Sequence, residues 1–166
     1  MNRLWAPWRI EYIRTKEVDG CVFCHKSVSK NDEDDLVLFK GEECFVLMNL
    51  FPYSNGHLMI SPYSHTSDTN DLSSNCNQEI MHLANESMNI LKKKMNAEGF
   101  NFGANLGKAG GAGIEDHLHY HIVPRWLGDT NSMPVVGTTK VMVEGLNETW
   151  LSLKNEFDKI KDMYNG

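Results

Sequence analysis

Three histidines occupy alternate positions in His117-Leu118-His119-Tyr120-His121. In an extended strand, residues two apart point the same way, so the three imidazoles share one face and Leu118, Tyr120 and Ile122 take the other. A row of imidazoles is poor packing material. Each ring carries two nitrogens that need partners, and charging more than one ring at once is unfavourable. Two chemistries suit such a row: imidazole is a common ligand for zinc, and a neutral imidazole nitrogen can attack an electrophile such as phosphorus to form a covalent intermediate. The loop just upstream, Gly107-Lys108-Ala109-Gly110-Gly111-Ala112-Gly113, bears on the choice. Glycines let backbone N–H groups approach an anion closely, and such a loop before three aligned histidines favours phosphate chemistry.

The elements that must position these residues follow from periodicity. The alternation predicts a strand over 117–123. Two apolar runs, 36–39 and 44–48, flank Lys40-Gly41-Glu42-Glu43 and predict a hairpin. Phe51-Pro52-Tyr53-Ser54-Asn55-Gly56 reads as a turn into a further strand over 57–61. From about Asn75 to Glu98 the period becomes helical, with Ile80, Ala84, Met88, Leu91 and Met95 on one stripe. Lys92, Lys93 and Lys94 then form a solvated helix end, and Gly99 is the expected stop. A short strand is expected over 101–106. A C-terminal helix is expected over 147–164, burying Trp150, Leu153, Phe157 and Ile160. The order predicts one α+β domain, an antiparallel sheet with one long helix and a C-terminal helix, preceded by an N-terminal extension over 1–30.

Composition narrows the function classes. The chain has 166 residues and a formal charge of −6, with 41% hydrophobic and 10% aromatic residues. That is enough apolar material for a core, which argues against intrinsic disorder. The acidic balance argues against nucleic-acid binding through bulk electrostatics. No apolar run approaches the roughly 20 residues that span a bilayer, so no membrane partner is expected. The first residues, MNRLWAPWRIEYIR, lack a signal-peptide pattern, and a cytoplasmic location is expected. The cysteines are Cys21, Cys24, Cys44 and Cys76, expected as thiols or metal ligands rather than disulfides. Cys21-Val22-Phe23-Cys24 is open to three readings: a zinc pair, a redox pair or plain packing. Cys44 and Cys76 read as packing residues, and His25 and His82 have no assigned role.

The histidine strand with Ile122 and Val123 resembles the signature of the histidine triad (HIT) family. Further likeness lies in Asn49-Leu50-Phe51-Pro52-Tyr53-Ser54-Asn55-Gly56-His57, in Asn105-Leu106-Gly107 and in Gly110 through Gly113. Pro124-Arg125-Trp126, Gly128-Asp129-Thr130-Asn131 and the N-terminal Trp5-Ala6-Pro7-Trp8-Arg9 extend it toward the family's diadenosine tetraphosphate phosphorylase branch.

The resemblance implies a nucleotidyl transferase or hydrolase acting on dinucleoside polyphosphates at the α-phosphorus. His119 is then the nucleophile that becomes nucleotidylated. His121 sits by the phosphate and leaving group, and His57 lines the same site. Asn49 matches the position that hydrogen-bonds ribose hydroxyls. Asn105, Gly111, Ala112 and Gly113 match phosphate contacts, although Gly113 and Ile114 replace polar residues common in other branches. Trp126 walls the site, contacts a second nucleotide, or is simply a packed tryptophan. Relatives also pair a CxxC with two histidines, here Cys21 and Cys24 with His65 and His117, as a structural Zn²⁺ site. The implied partners are an adenine nucleotide or dinucleoside polyphosphate, inorganic phosphate, and a second copy in a homodimer joined through the long helix and the sheet edge. A phosphoramidase acting on adenosine 5′-phosphoramidates, or a binding module with little turnover, are the alternative functions.

Overall fold

Short apolar runs of strand length, separated by polar turns, pair into one antiparallel sheet. The computed structural model describes residues 20–129 and 142–164. Its elements are α1 (Val22–Ser27), β1 (Val37–Lys40), β2 (Cys44–Met48), β3 (Leu58–Pro62), α2 (Ser74–Met95), β4 (Gly99–Ala104), β5 (Tyr120–Arg125) and α3 (Leu146–Tyr164). The sheet order is β1-β2-β3-β5-β4. The last strand among the described residues therefore enters between β3 and β4, with Met59 opposite His121 on one side and Gly103 opposite it on the other. This insertion makes the site, because it sets the histidine strand between two others. Trp5–Arg9, Thr130 and Asn131 lie outside the described residues.

One face of the sheet carries the main core. Leu38, Val46, Met48, Leu58, Ile60 and Ile122 meet Ile80, Leu83, Ala84 and Leu91 of α2 and Trp150, Leu153, Phe157 and Ile160 of α3. Helix α2 is capped by Ser73, whose hydroxyl accepts the Cys76 N–H. It stops earlier than Gly99: Asn96 takes the left-handed conformation (φ 51°), which asparagine tolerates, and the chain enters β4 at Gly99. The strand expected over 101–106 accordingly begins and ends earlier. The lysine run is an exposed helix end as expected, and Lys93 and Lys94 both reach Glu156 of α3, at 2.8 and 3.6 Å. Helix α3 also covers the β1 edge. The Trp150 indole N–H donates to Val37 O (3.1 Å) and Lys154 Nζ to Leu38 O (3.0 Å). Edge strand β4 is more open, with Asn101, Phe102 and Gly103 exposed.

A buried carboxylate ties the hairpin to α2. Glu79 accepts the backbone N–H groups of Glu42, Glu43 and Cys44 at 2.8, 2.6 and 2.8 Å. A side chain at Gly41 would force that carboxylate to shift. Beside it, Cys44 and Cys76 are buried free thiols with sulfurs 3.5 Å apart, and burial pushes the Cys44 thiol far up. They are packing residues, as expected.

The opposite sheet face carries a smaller cluster, in which Phe23 of α1 sits on Val37, Phe45, Leu47 and Met59. This short helix was not foreseen in the N-terminal extension. No helix among the described residues is long and apolar enough to cross a membrane.

Candidate active site

The histidine row lies on the second face, and its ladder is shorter than the alternation predicted. Pairing of β5 begins at Tyr120 rather than at residue 117. Before it, the Leu118 N–H donates to Thr66 O (2.7 Å) and Leu118 O accepts the Ser61 hydroxyl (3.0 Å), so this stretch bonds to side chain and loop instead of a strand. Side-chain alternation nevertheless survives. Leu118 and Ile122 enter the main core, and His119 and His121 meet edge to face with centroids 5.0 Å apart.

Backbone carbonyls fix which ring nitrogen of His117 and of His119 carries its proton. His119 Nδ1 lies 2.8 Å from His117 O. A carbonyl only accepts, so Nδ1 holds the hydrogen and Nε2 of the neutral ring keeps its lone pair. His117 is the reverse: its Nε2 lies 2.9 Å from Pro62 O, leaving the lone pair on Nδ1. Burial is the main force lowering the His117 pKa, with His65 and His119 adding to it against the Pro62 carbonyl, and keeps the ring neutral.

At the other end, His57 and His121 form a directed chain. The Tyr53 backbone N–H donates to His57 Nδ1 (3.0 Å). Asn49 accepts the Phe51 N–H on Oδ1 (2.9 Å), which turns its Nδ2 toward the same His57 nitrogen at 3.3 Å. The neutral His57 ring therefore carries its proton on Nε2 and donates it to His121 Nδ1 at 3.0 Å. His121 is left with Nε2–H as a donor. Burial first and His119 second push its pKa down to about 4, so His121 is uncharged at neutral pH. The Tyr53 ring packs on both, 4.6 Å from His57 and 5.8 Å from His121. Tyr53 lies in the expected turn, but this role was not legible in the sequence, because a backbone donor leaves no mark in residue type.

Beside His121 opens a cleft of about 480 Å³, lined by Tyr53, Asn101, Gly103, Asn105, Val123 and Arg125 among others. Asn105 thus joins the site. Gly111, Ala112 and Gly113 do not line this cleft. The N–H groups of Gly111 and Ala112 close the loop on Lys108 O (3.0 Å) and Gly107 O (3.3 Å). Trp126 lies elsewhere: its indole donates to Met95 O (3.0 Å), and it borders a separate cavity of about 710 Å³ that none of His57, His119 and His121 lines.

The first triad histidine belongs to a different cluster. Cys21 Sγ and Cys24 Sγ lie 3.2 and 3.5 Å from His117 Nδ1, with Cys24 Sγ 3.3 Å from His65 Nδ1 and the two Nδ1 atoms 3.2 Å apart. With zinc–nitrogen and zinc–sulfur bonds of about 2.0 and 2.3 Å, the edges of a tetrahedron are roughly 3.3–3.8 Å. All four donor atoms lie within 4.8 Å of one another. The set fits a closed four-ligand metal site, with the Pro62 carbonyl orienting His117 from behind. Burial and the neighbouring Cys21 raise the Cys24 thiol pKa, a penalty that a cation would reverse.

Fold and site together define a small α+β protein with a buried His119 whose Nε2 keeps its lone pair, a cleft beside His121 and a Cys₂His₂ cluster. Residues 30–126 match the family model of the HIT domain. Over 165 residues the chain is 33% identical to an AP-4-A phosphorylase of Mycobacterium tuberculosis, covering 95% of this chain and 85% of that one. It is 24% identical over 145 residues to an adenosine 5′-monophosphoramidase of Saccharomyces cerevisiae, covering 87% and 78%. A Zn-bound histidine triad family protein from Mycobacterium smegmatis superposes with a TM-score of 0.67 at 21% identity, covering 86% and 96%. The chain belongs to the HIT family.

Proposed function

We propose that this protein is a nucleotidyl transferase that cleaves dinucleoside polyphosphates such as diadenosine tetraphosphate at the α-phosphorus. The observation that carries this reading is the fixed tautomer of His119, whose Nδ1–H is held by His117 O and whose Nε2 lone pair is free to attack. Attack forms an N–P bond and breaks the P–O bond to the leaving polyphosphate, which departs with the electron pair. The ring becomes cationic, and the His117 carbonyl stabilises that charge through Nδ1–H. His121 Nε2–H, oriented by His57, donates to an oxygen of the phosphate or leaving group. Inorganic phosphate or water then attacks the nucleotidyl-His119 and restores the free imidazole. Asn49 serves the ribose, and Asn105, which lines the cleft, serves the phosphates. The kinship with a phosphorylase favours phosphate as acceptor.

Incubation with diadenosine tetraphosphate, with and without inorganic phosphate, tests the reading. ADP plus ATP appearing only with phosphate is the expected result. AMP plus ATP without phosphate would make the protein a hydrolase. Inertness toward this substrate, together with AMP release from adenosine 5′-phosphoramidate, would replace the reading with the second one that the yeast relative favours.

The metal we infer at Cys21, Cys24, His65 and His117 is Zn²⁺, which suits mixed sulfur and nitrogen donors and would be structural in a closed site. Elemental analysis of fresh protein is expected to give one zinc per chain. A homodimer joined through α2 and the sheet edge is supported by the exposed β4, and sedimentation is expected to give twice the chain mass. Four cysteines kept as thiols suit a cytoplasmic location.

A further inference from the structure

A nucleophilic imidazole must be aimed as well as deprotonated. The bond from His119 Nδ1 to His117 O fixes one edge of the ring but leaves it free to rock about that line. A contact on the ring face removes this freedom, and Phe23 supplies it. The two rings are stacked, with centroids 4.7 Å apart and planes 28° from parallel. Phe23 is only 2% exposed, and Val37, Phe45, Leu47 and Met59 back it. It cannot swing away without opening that cluster. It also touches His117, at 5.3 Å and 42°.

We propose that Phe23 is a positioning residue for His119: its buried ring sets the imidazole plane and so the direction of the Nε2 lone pair. This rests on the reading of His119 as nucleophile. The same contact acts again after attack, when the ring of the nucleotidyl-His119 is cationic and lies over an aromatic face. Phe23 stands between Cys21 and Cys24 on α1, so the segment that brings two metal ligands to His117 also delivers the platform for His119. The metal cluster and the reacting ring thereby share one short helix.

The test uses the full chain with its metal, as wild type, Phe23→Leu and Phe23→Ala. Leucine keeps most of the apolar volume and loses the aromatic face. For phosphorolysis of diadenosine tetraphosphate, kcat is expected to fall about tenfold in Phe23→Leu and about a hundredfold in Phe23→Ala, with KM within about twofold of wild type. Metal content and melting temperature of Phe23→Leu are expected to match wild type. The ring protons of His119 in the NMR spectrum are expected to move downfield as the phenyl ring current is lost. Wild-type kcat in Phe23→Leu would overturn the proposal, as would His119 ring resonances that do not move. An inactive wild-type chain would instead overturn the nucleotidyl-transfer reading, and this role would fall with it.

Discussion

His117 and His119 are two residues apart on one face, yet they face two chemistries. His117 gives its Nε2–H to Pro62 O and turns Nδ1 into the cysteine cluster, whereas His119 gives its Nδ1–H to His117 O and keeps its lone pair on Nε2. The residue type is identical, and both stand in the short stretch just before β5. The difference lies in which carbonyl each ring meets, and that is set by where β5 leaves its ladder with β3. One end of the row faces a cluster that could hold a metal and the other carries the proposed nucleophile, so the two ends are expected to fail in different ways.

The sharpest separation is expected from His119→Asn. Loss of the nucleophile lowers turnover roughly 10⁴-fold or more, while metal content and melting temperature stay near wild type. Quantified metal and calorimetry beside the rate assay check this. The reciprocal change, His117→Ala, is expected to lose the metal and with it stability. For a ligand held at a thousand times its Kd that loss is about 4 kcal/mol, or roughly 8–16 °C in melting temperature for a chain of this size. Turnover falls as a consequence of disorder around Phe23 and His119. A chelator added to the wild type should reproduce the effect.

Acid provides a gentler probe of the phosphate end. His121 has its pKa lowered to about 4, so between the ordinary histidine value and that pKa the unfolded chain takes up a proton the folded chain refuses. Its contribution to stability is complete above the unfolded value, and is lost progressively as pH falls toward about 4. Melting temperature followed against pH is expected to fall less steeply over that window in His121→Asn than in the wild type. The smallest effect is expected at the remaining thiols. Cys76→Ala should cost about 1 kcal/mol of packing and leave both metal content and turnover unchanged, because Cys44 and Cys76 belong to the main core and to neither end of the row.

What could be read from the sequence had a period. The histidine face and the buried stripes of α2 and α3 follow from repeats of two and 3.6 residues, and Trp150, Leu153, Phe157 and Ile160 are all buried as expected. What could not be read depends on backbone geometry. Asn96 ended α2 because a left-handed turn was needed before β4, and asparagine can supply it as glycine does. Helix α1 is too short to show a stripe, so Phe23 was hidden inside a metal-ligand motif. Tyr53 acts partly through its N–H, which every residue but proline possesses. The loop glycines looked like a ready anion cradle, yet the N–H groups of Gly111 and Ala112 close the turn itself. Trp126 falls just past the end of β5 and packs toward Met95 rather than toward the histidines.

The most direct test of the account is the tautomeric state of each histidine, read from long-range ¹H–¹⁵N correlations of the imidazole rings at neutral pH. Opposite tautomers are predicted at His117 and His119: hydrogen on Nε2 of His117, with Nδ1 shifted by metal, and hydrogen on Nδ1 of His119 with Nε2 bare. Hydrogen on Nε2 of His119 would leave no lone pair aimed at phosphorus and would contradict the account.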